Sequence, residues 1–347
     1  KRVVKMHLRE ISTQDVNYLL NYWAPKLDLE LDASRILHIQ ERINQIESIC
    51  IGRHAGDIQD AVLRVLLAAS SRSKDLEFLE IGVLFGVNAA VLFDLSRPKF
   101  ESVHLTLIDP LDGYYQVGVP DSQTNIPITP GNVIHNLQAV SAHQADYEII
   151  QFPSQTQESL ERASKRSYDY VFIDGDHSYQ GISADFENYA PMVKPGGLIV
   201  FDNFLDGLWP DIDRFVRDRL MSELSRSYTY VGSGWRTVVF RKEEQPGTGW
   251  VAPQTQVSDV QAGLQAGGVE DREALVEKLD KLKYLAMEYE HAQYWFVRQI
   301  ALQKANRSSH ALQMEKSKLE AEKAWTKLSR LEAEVARRDT VIERTRE

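Results

Sequence analysis

The stretch YDYVFIDGDH (168–177) sends an apolar run, Tyr168 and Tyr170 to Ile173, directly into Asp174, Asp176 and His177. Three ionisable groups at the end of a strand are costly to hold together unless something there neutralises them. A second apolar run, GLIVFDN (197–203), ends in Asp202 and Asn203. If these runs are neighbouring parallel strands, two carboxylates and an amide oxygen converge on one edge. Hard oxygen donors of this kind suit Mg²⁺ or another divalent cation, whose charge offsets the repulsion of the acids. The alternative is three polar residues simply solvated at a sheet edge. No Cys/His cluster for zinc and no GKS or GKT phosphate loop occurs.

EIGVLFGVN (80–88) places Glu80, Gly82 and Gly86 where a strand turns into a helix. Glycines there allow the backbone to approach a ligand, and the helix start offers free N–H groups to an anion. The E-x-G-x-x-x-G spacing differs from the G-x-G-x-x-G of pyrophosphate sites. Asp109 closes the next strand, where an acid commonly takes a ribose diol; a turn Asp before Pro110 is the plainer reading.

The elements that must position these groups alternate along the chain. Strands are expected at 76–82, 103–109, 147–152, 168–174 and 197–203, with helices at 87–96, 154–163, 182–193 and near 211–224. YTYVGSGWRTVVF (228–240) reads as a closing hairpin. Near-continuous apolar strands between amphipathic helices imply an α/β fold with a parallel sheet covered on both faces. Residues 1–72 read as an N-terminal helical cap, since 33–49 and 58–70 repeat apolar residues at three and four. The long connection 111–146 has the length of a lid. Tyr114, Tyr115 and Trp209 could form an aromatic platform for a sugar ring, or simply pack.

Residues 243–268, rich in Gly, Pro and Gln, read as a linker. From Val269 to Glu347 no Pro or Gly occurs, and apolar residues recur every seven positions with one four-residue slip at Ile300. This predicts a coiled coil with a stutter over 269–347. Net charge is −10, which makes nucleic acid a poor partner. A single cysteine fits a reducing compartment, and no window reads as a membrane span or signal peptide. The expected location is cytoplasmic, peripheral to the inner membrane only through a partner.

The block FIDGDHSYQGISADFENYAPMVKPGGLIVFDN (172–203) resembles class I S-adenosylmethionine-dependent methyltransferases, and more narrowly the metal-dependent sugar O-methyltransferases of the macrolide and aminocoumarin type. GRHAGDIQDAVL (52–63) followed by FLEIG is similar to catechol O-methyltransferase. The resemblance covers roughly residues 45–242. It implies a Rossmann-like, doubly wound, mostly parallel sheet over 73–242. It also implies that Glu80, Gly82, Gly86 and Asn88 hold the amino-acid end of S-adenosylmethionine, Asp109 the ribose, and Ser154 and Gln155 the adenine. Asp174, which also borders the cofactor, would ligate Mg²⁺ with Asp202 and Asn203. His177 or Asp176 would be the base. A neutral imidazole suits the task, its proton affinity rising beside acids and falling beside Mg²⁺.

The function implied is O-methylation of a hydroxyl on a sugar or glycan, such as a bacterial surface polysaccharide. Competing readings are a metal-independent small-molecule methyltransferase, a dinucleotide oxidoreductase, and an inert α/β scaffold whose coiled coil mediates assembly. The tail is expected to self-associate or to bind a protein partner, such as a membrane-associated polysaccharide assembly complex.

Overall fold

The computed structural model describes residues 9–114, 116–224 and 227–244. Seven strands form one sheet: β1 Asp75–Ile81, β2 Ser102–Ile108, β3 Tyr147–Ile150, β4 Tyr168–Ile173, β5 Val193–Phe201, β6 Tyr228–Gly234 and β7 Thr237–Lys242. Their order is β3-β2-β1-β4-β5-β7-β6. The first five run parallel, and β7 inserts antiparallel between β5 and β6. The chain winds outward from β1 to β3 and then crosses back to β4. The β1/β4 border is therefore the topological switch point, where open α/β sheets bind ligands at the carboxyl ends of their strands.

Every residue of β4 is buried, as its apolar run from Tyr170 to Ile173 requires of a central parallel strand. Helix Val87–Ser96 follows β1 and is buried along most of its length. Helix Ile58–Ala69 is buried almost all round, although Asp60 and Arg64 lie within it. The N-terminal helices belong to the same compact unit as the sheet.

Expected boundaries shift where side chains cap. The helix after β4 starts at Tyr179 because Ser178 accepts the Gly181 N–H at 3.1 Å, and it ends at Tyr189. Strand β5 starts early, with Val193 opposite Tyr168, so the KPGG segment lies inside it.

The connection 111–146 is less open than its length suggests. Thr129 caps a helix, Pro130–Ala139, whose Val133 and Leu137 are fully buried at a spacing of four. Its Asn136 accepts the Ile51 N–H (2.7 Å) and donates to the carbonyls of Ile51 (2.9 Å) and Phe85 (2.8 Å). Asp121 takes the Arg53 guanidinium at 2.8 Å. Both contacts pin the connection to the 51–57 loop. Tyr115, most of the linker and the predicted coiled coil lie outside the described residues.

Candidate active site

The ladder continues one residue beyond the strand ends. The Gly82 N–H donates to Ile108 O (3.0 Å), Asp109 to Ile150 O (3.2 Å), Asp174 to Ile81 O (2.9 Å) and Asp202 to Ile173 O (3.3 Å). Asp109, Gly82, Asp174 and Asp202 thus form one row across β2, β1, β4 and β5 at the carboxyl edge of the sheet. Parallel pairing alone brings together groups that are far apart in sequence.

At the β1 turn, Gly82 (φ 84°) and Gly86 (φ 69°) occupy the left-handed region. A Cβ at Gly82 would meet the Asp174 carbonyl oxygen at 2.0 Å, so only glycine allows β1 and β4 to approach there. Gly86 caps the helix carrying Asn88, whose amide donates to Glu80 Oε1 at 2.8 Å. Glu80 is buried. Its Oε2 has no partner in the protein. Burial pushes the Glu80 carboxyl up to about 8, against the Asn88 hydrogen bond and the charge of Arg64.

Asp109 braces the glycine turn: Oδ2 accepts the N–H groups of Val83 (2.7 Å) and Leu84 (3.2 Å), and Oδ1 that of Leu111 (2.8 Å). Three of the roughly four lone-pair directions of a carboxylate are taken, which leaves about one for a ribose hydroxyl. Ser154 turns its hydroxyl to the buried Asp185 at 2.6 Å, while Gln155 is exposed.

His177 and Asp176 are neighbours in sequence with different surroundings. The His177 ring is buried, with Nε2 3.2 Å from Asp174 Oδ1 and its plane edge-on to Trp209 at a centroid distance of 4.6 Å. Burial opposes its protonation. The Asp174 hydrogen bond and charge, followed by Asp202 and Asp176, outweigh burial and raise its proton affinity. Asp176 is exposed, accepts the Ser178 N–H at 2.9 Å and packs against Gly181 at the start of the next helix. Trp209 therefore lies against His177 rather than standing free.

Asp202 is buried, with Oδ2 2.9 Å from Arg64 Nη2 and Oδ1 without a partner. Asn203 follows in a left-handed conformation (φ 58°), which Asn tolerates, and its amide donates to Asp206 at 3.3 Å. Burial and the charge of Asp202 raise the Asp174 carboxyl. Among the described residues no group of three or more His, Cys, Asp or Glu side chains is arranged to hold a metal. The set expected here is two carboxylates and an amide. Its hard oxygens and the unpartnered Asp202 Oδ1 fit a divalent cation.

The sequence reading gives no role to Asp60 and Arg64, although two charges four residues apart in IQDAVLRVLLAA are a visible signal. It also omits His54, whose buried ring lies beside Asn88 and whose proton affinity burial and nearby arginines lower well below normal. That ring carries no local sequence signal.

Uncharacterized protein R132 of Acanthamoeba polyphaga mimivirus is 28% identical over 158 residues. The match covers 44% of this chain and 64% of that protein. Among solved structures, the chain is similar to cofactor-bound Rv0187 from MTB (19% identity, TM-score 0.42, 68% of this chain and 100% of that one). It is also similar to the O-methyltransferase NovP (15%, TM-score 0.41, 59% and 81%). A third is MycE from the mycinamycin biosynthetic pathway, in complex with Mg, SAH and mycinamycin VI (15%, TM-score 0.42, 73% and 68%). Residues 79–204 match the family model described as a methyltransferase domain. That span runs from within β1 to just past β5 and contains Glu80, Gly82, Gly86, Asn88, Asp109, Asp174, His177, Asp202 and Asn203. The matched span lies within a Rossmann-like, mostly parallel sheet.

Proposed function

We propose that the protein is an S-adenosylmethionine-dependent O-methyltransferase, assisted by a divalent cation, acting on a hydroxyl of a sugar or glycan. The observation that carries this reading is the row Asp109–Gly82–Asp174–Asp202 at the switch point, with His177 beside Asp174. When bound, S-adenosylmethionine supplies the sulfonium methyl group and the divalent cation lowers the pKa of the acceptor hydroxyl.

The chain's own residues do the rest. Glu80, oriented by Asn88, receives the cofactor's ammonium. Gly82 and Gly86 let the backbone close on its amino-acid end, and Asp109 holds that turn in shape and offers its remaining acceptor direction to the ribose. Gln155 borders the adenine, on a loop fixed by Ser154. Asp174, Asp202 and Asn203 hold the cation. His177 takes the acceptor proton, because Asp174 stabilises the resulting imidazolium. Trp209 fixes the ring and borders the acceptor. Methyl transfer is an in-line displacement, so a rigid sheet edge that fixes these groups is itself a catalytic device.

The sugar acceptor is proposed from the resemblance that residues 172–203 carry. No helix among the described residues is long and apolar enough to cross a membrane. We assign a cytoplasmic site of action, with residues 269–347 serving self-association or a partner in polysaccharide assembly.

Calorimetric titration with S-adenosylmethionine and S-adenosylhomocysteine, in Mg²⁺ and in EDTA, tests the reading on wild type and Asp109→Ala. Micromolar binding of both ligands, lost in the variant, supports it. No binding to wild type under either condition overturns it.

A further inference from the structure

An arginine inside the buried helix Ile58–Ala69 needs a reason, because an isolated guanidinium there would cost several kcal/mol. Arg64 is 1% exposed. Its guanidinium carbon stands 4.3 Å from the centre of the Phe172 ring, two residues before Asp174 on β4. Its Nη2 lies 2.9 Å from Asp202 Oδ2, just past the end of β5, as an ion pair that lacks hydrogen-bond geometry. The side chain therefore spans both strands whose ends carry the proposed cation ligands. One turn earlier, Asp60 accepts the Thr237 hydroxyl (2.9 Å) and the Arg236 N–H (3.2 Å), which fixes the helix to the β6–β7 turn. Arg64 thus stands on a helix that Asp60 fixes, and it lies within the field of Asp202, Asp60 and Asp174.

We infer that Arg64 is a positioning residue: a built-in counter-charge that clamps Asp202 from behind and keeps the Asp174–Asp202 edge assembled when no divalent cation is bound. The inference rests on the reading above in taking that edge as the cation site. Two consequences follow from the geometry. The ion pair at Oδ2 leaves Oδ1, which has no partner, as the oxygen available to a cation. Arg64 also neutralises charge that the cation would otherwise neutralise alone, so the folded protein depends little on the metal. The flat guanidinium suits the Phe172 face.

The test is thermal unfolding of the full chain as wild type, Arg64→Met and Arg64→Lys, each in EDTA and in millimolar Mg²⁺ at matched ionic strength. Methionine keeps the apolar stem over Phe172 and removes the charge; lysine keeps the charge. Wild type and Arg64→Lys are expected to shift by less than about 2 °C between the two conditions, and Arg64→Met to regain at least about 5 °C in Mg²⁺. An Arg64→Met protein no more responsive to Mg²⁺ than wild type overturns the inference. So does an Arg64→Lys protein as responsive as Arg64→Met, since the fork rather than the charge would then matter. If Arg64→Met does not fold in EDTA, refolding yields decide: recovery confined to Mg²⁺ supports the role, and equal yields overturn it. Cofactor titration of wild type is read separately. Its failure removes the methyl-transfer reading and leaves the thermal comparison intact.

Discussion

The Asn88 side chain donates to Glu80 Oε1 at 2.8 Å, across the turn that joins β1 to its helix. It leaves Glu80 Oε2 buried and unpartnered, with the carboxyl pushed up to about 8 chiefly by burial. The ligand-free protein therefore holds this proton at neutral pH.

A folded value of about 8 lies above the ordinary 4.5 of an unfolded Glu, so the folded state binds the extra proton between those limits. The corresponding stability is fully present below pH 4.5 and is lost as pH rises through 8. Glu80→Gln should flatten this decline in denaturant titrations between pH 5 and 9 and weaken cofactor binding about tenfold or more. Wild type should release a proton on binding the cofactor's ammonium near pH 7. Calorimetry in buffers of different ionisation enthalpy reads this release, and an uptake would contradict the assignment.

His177 and Asp176 separate by environment. With the base at His177, His177→Ala should lower kcat by about 10²–10⁴-fold and leave cofactor affinity nearly unchanged. The exposed Asp176→Asn should stay within about threefold of wild type. Single-turnover kinetics with saturating cofactor distinguish the two, and the reverse ranking would move the base to Asp176.

Two glycines with positive φ should respond differently to alanine. Gly82→Ala drives a methyl to 2.0 Å from the Asp174 carbonyl oxygen, whereas a Cβ at Gly118 (φ 77°) meets nothing within 4 Å. Gly118→Ala should cost only backbone strain, about 1–2 kcal/mol. Gly82→Ala should cost more and also abolish cofactor binding, because it separates β1 from β4 at the site. Paired denaturant melts and titrations check both.

Asp121 is fully buried and accepts the Arg53 guanidinium, the Thr124 hydroxyl (2.8 Å) and the Thr124 N–H (2.9 Å). Asp121→Ala leaves Arg53 without its partner and should destabilise the chain by about 3 kcal/mol. Limited proteolysis should then cut first between 112 and 128. Cleavage elsewhere would show that this clamp does not hold the connection.

Local chemistry explains what can be read from the chain. Apolar runs that end in acids announce parallel strands with ligand-facing ends, and the glycines after Glu80 announce a tight strand-to-helix turn. The strand positions, the closing hairpin and the acids at the strand ends follow from such patterns. A helix inside 111–146 has a weaker signal, Val133 and Leu137 beneath a Thr-Pro start, and the length of the segment suggests a lid instead. Pairing across the sheet lies beyond any local pattern. Only folding sets Asp202 against Arg64, turns Ser154 toward Asp185, occupies Asp109 with three backbone N–H groups, and sinks His177 while leaving Asp176 in water. Residue type and spacing fix what a side chain is able to do. Burial and the charges brought alongside it, which depend on segments distant in sequence, fix which of those things it does.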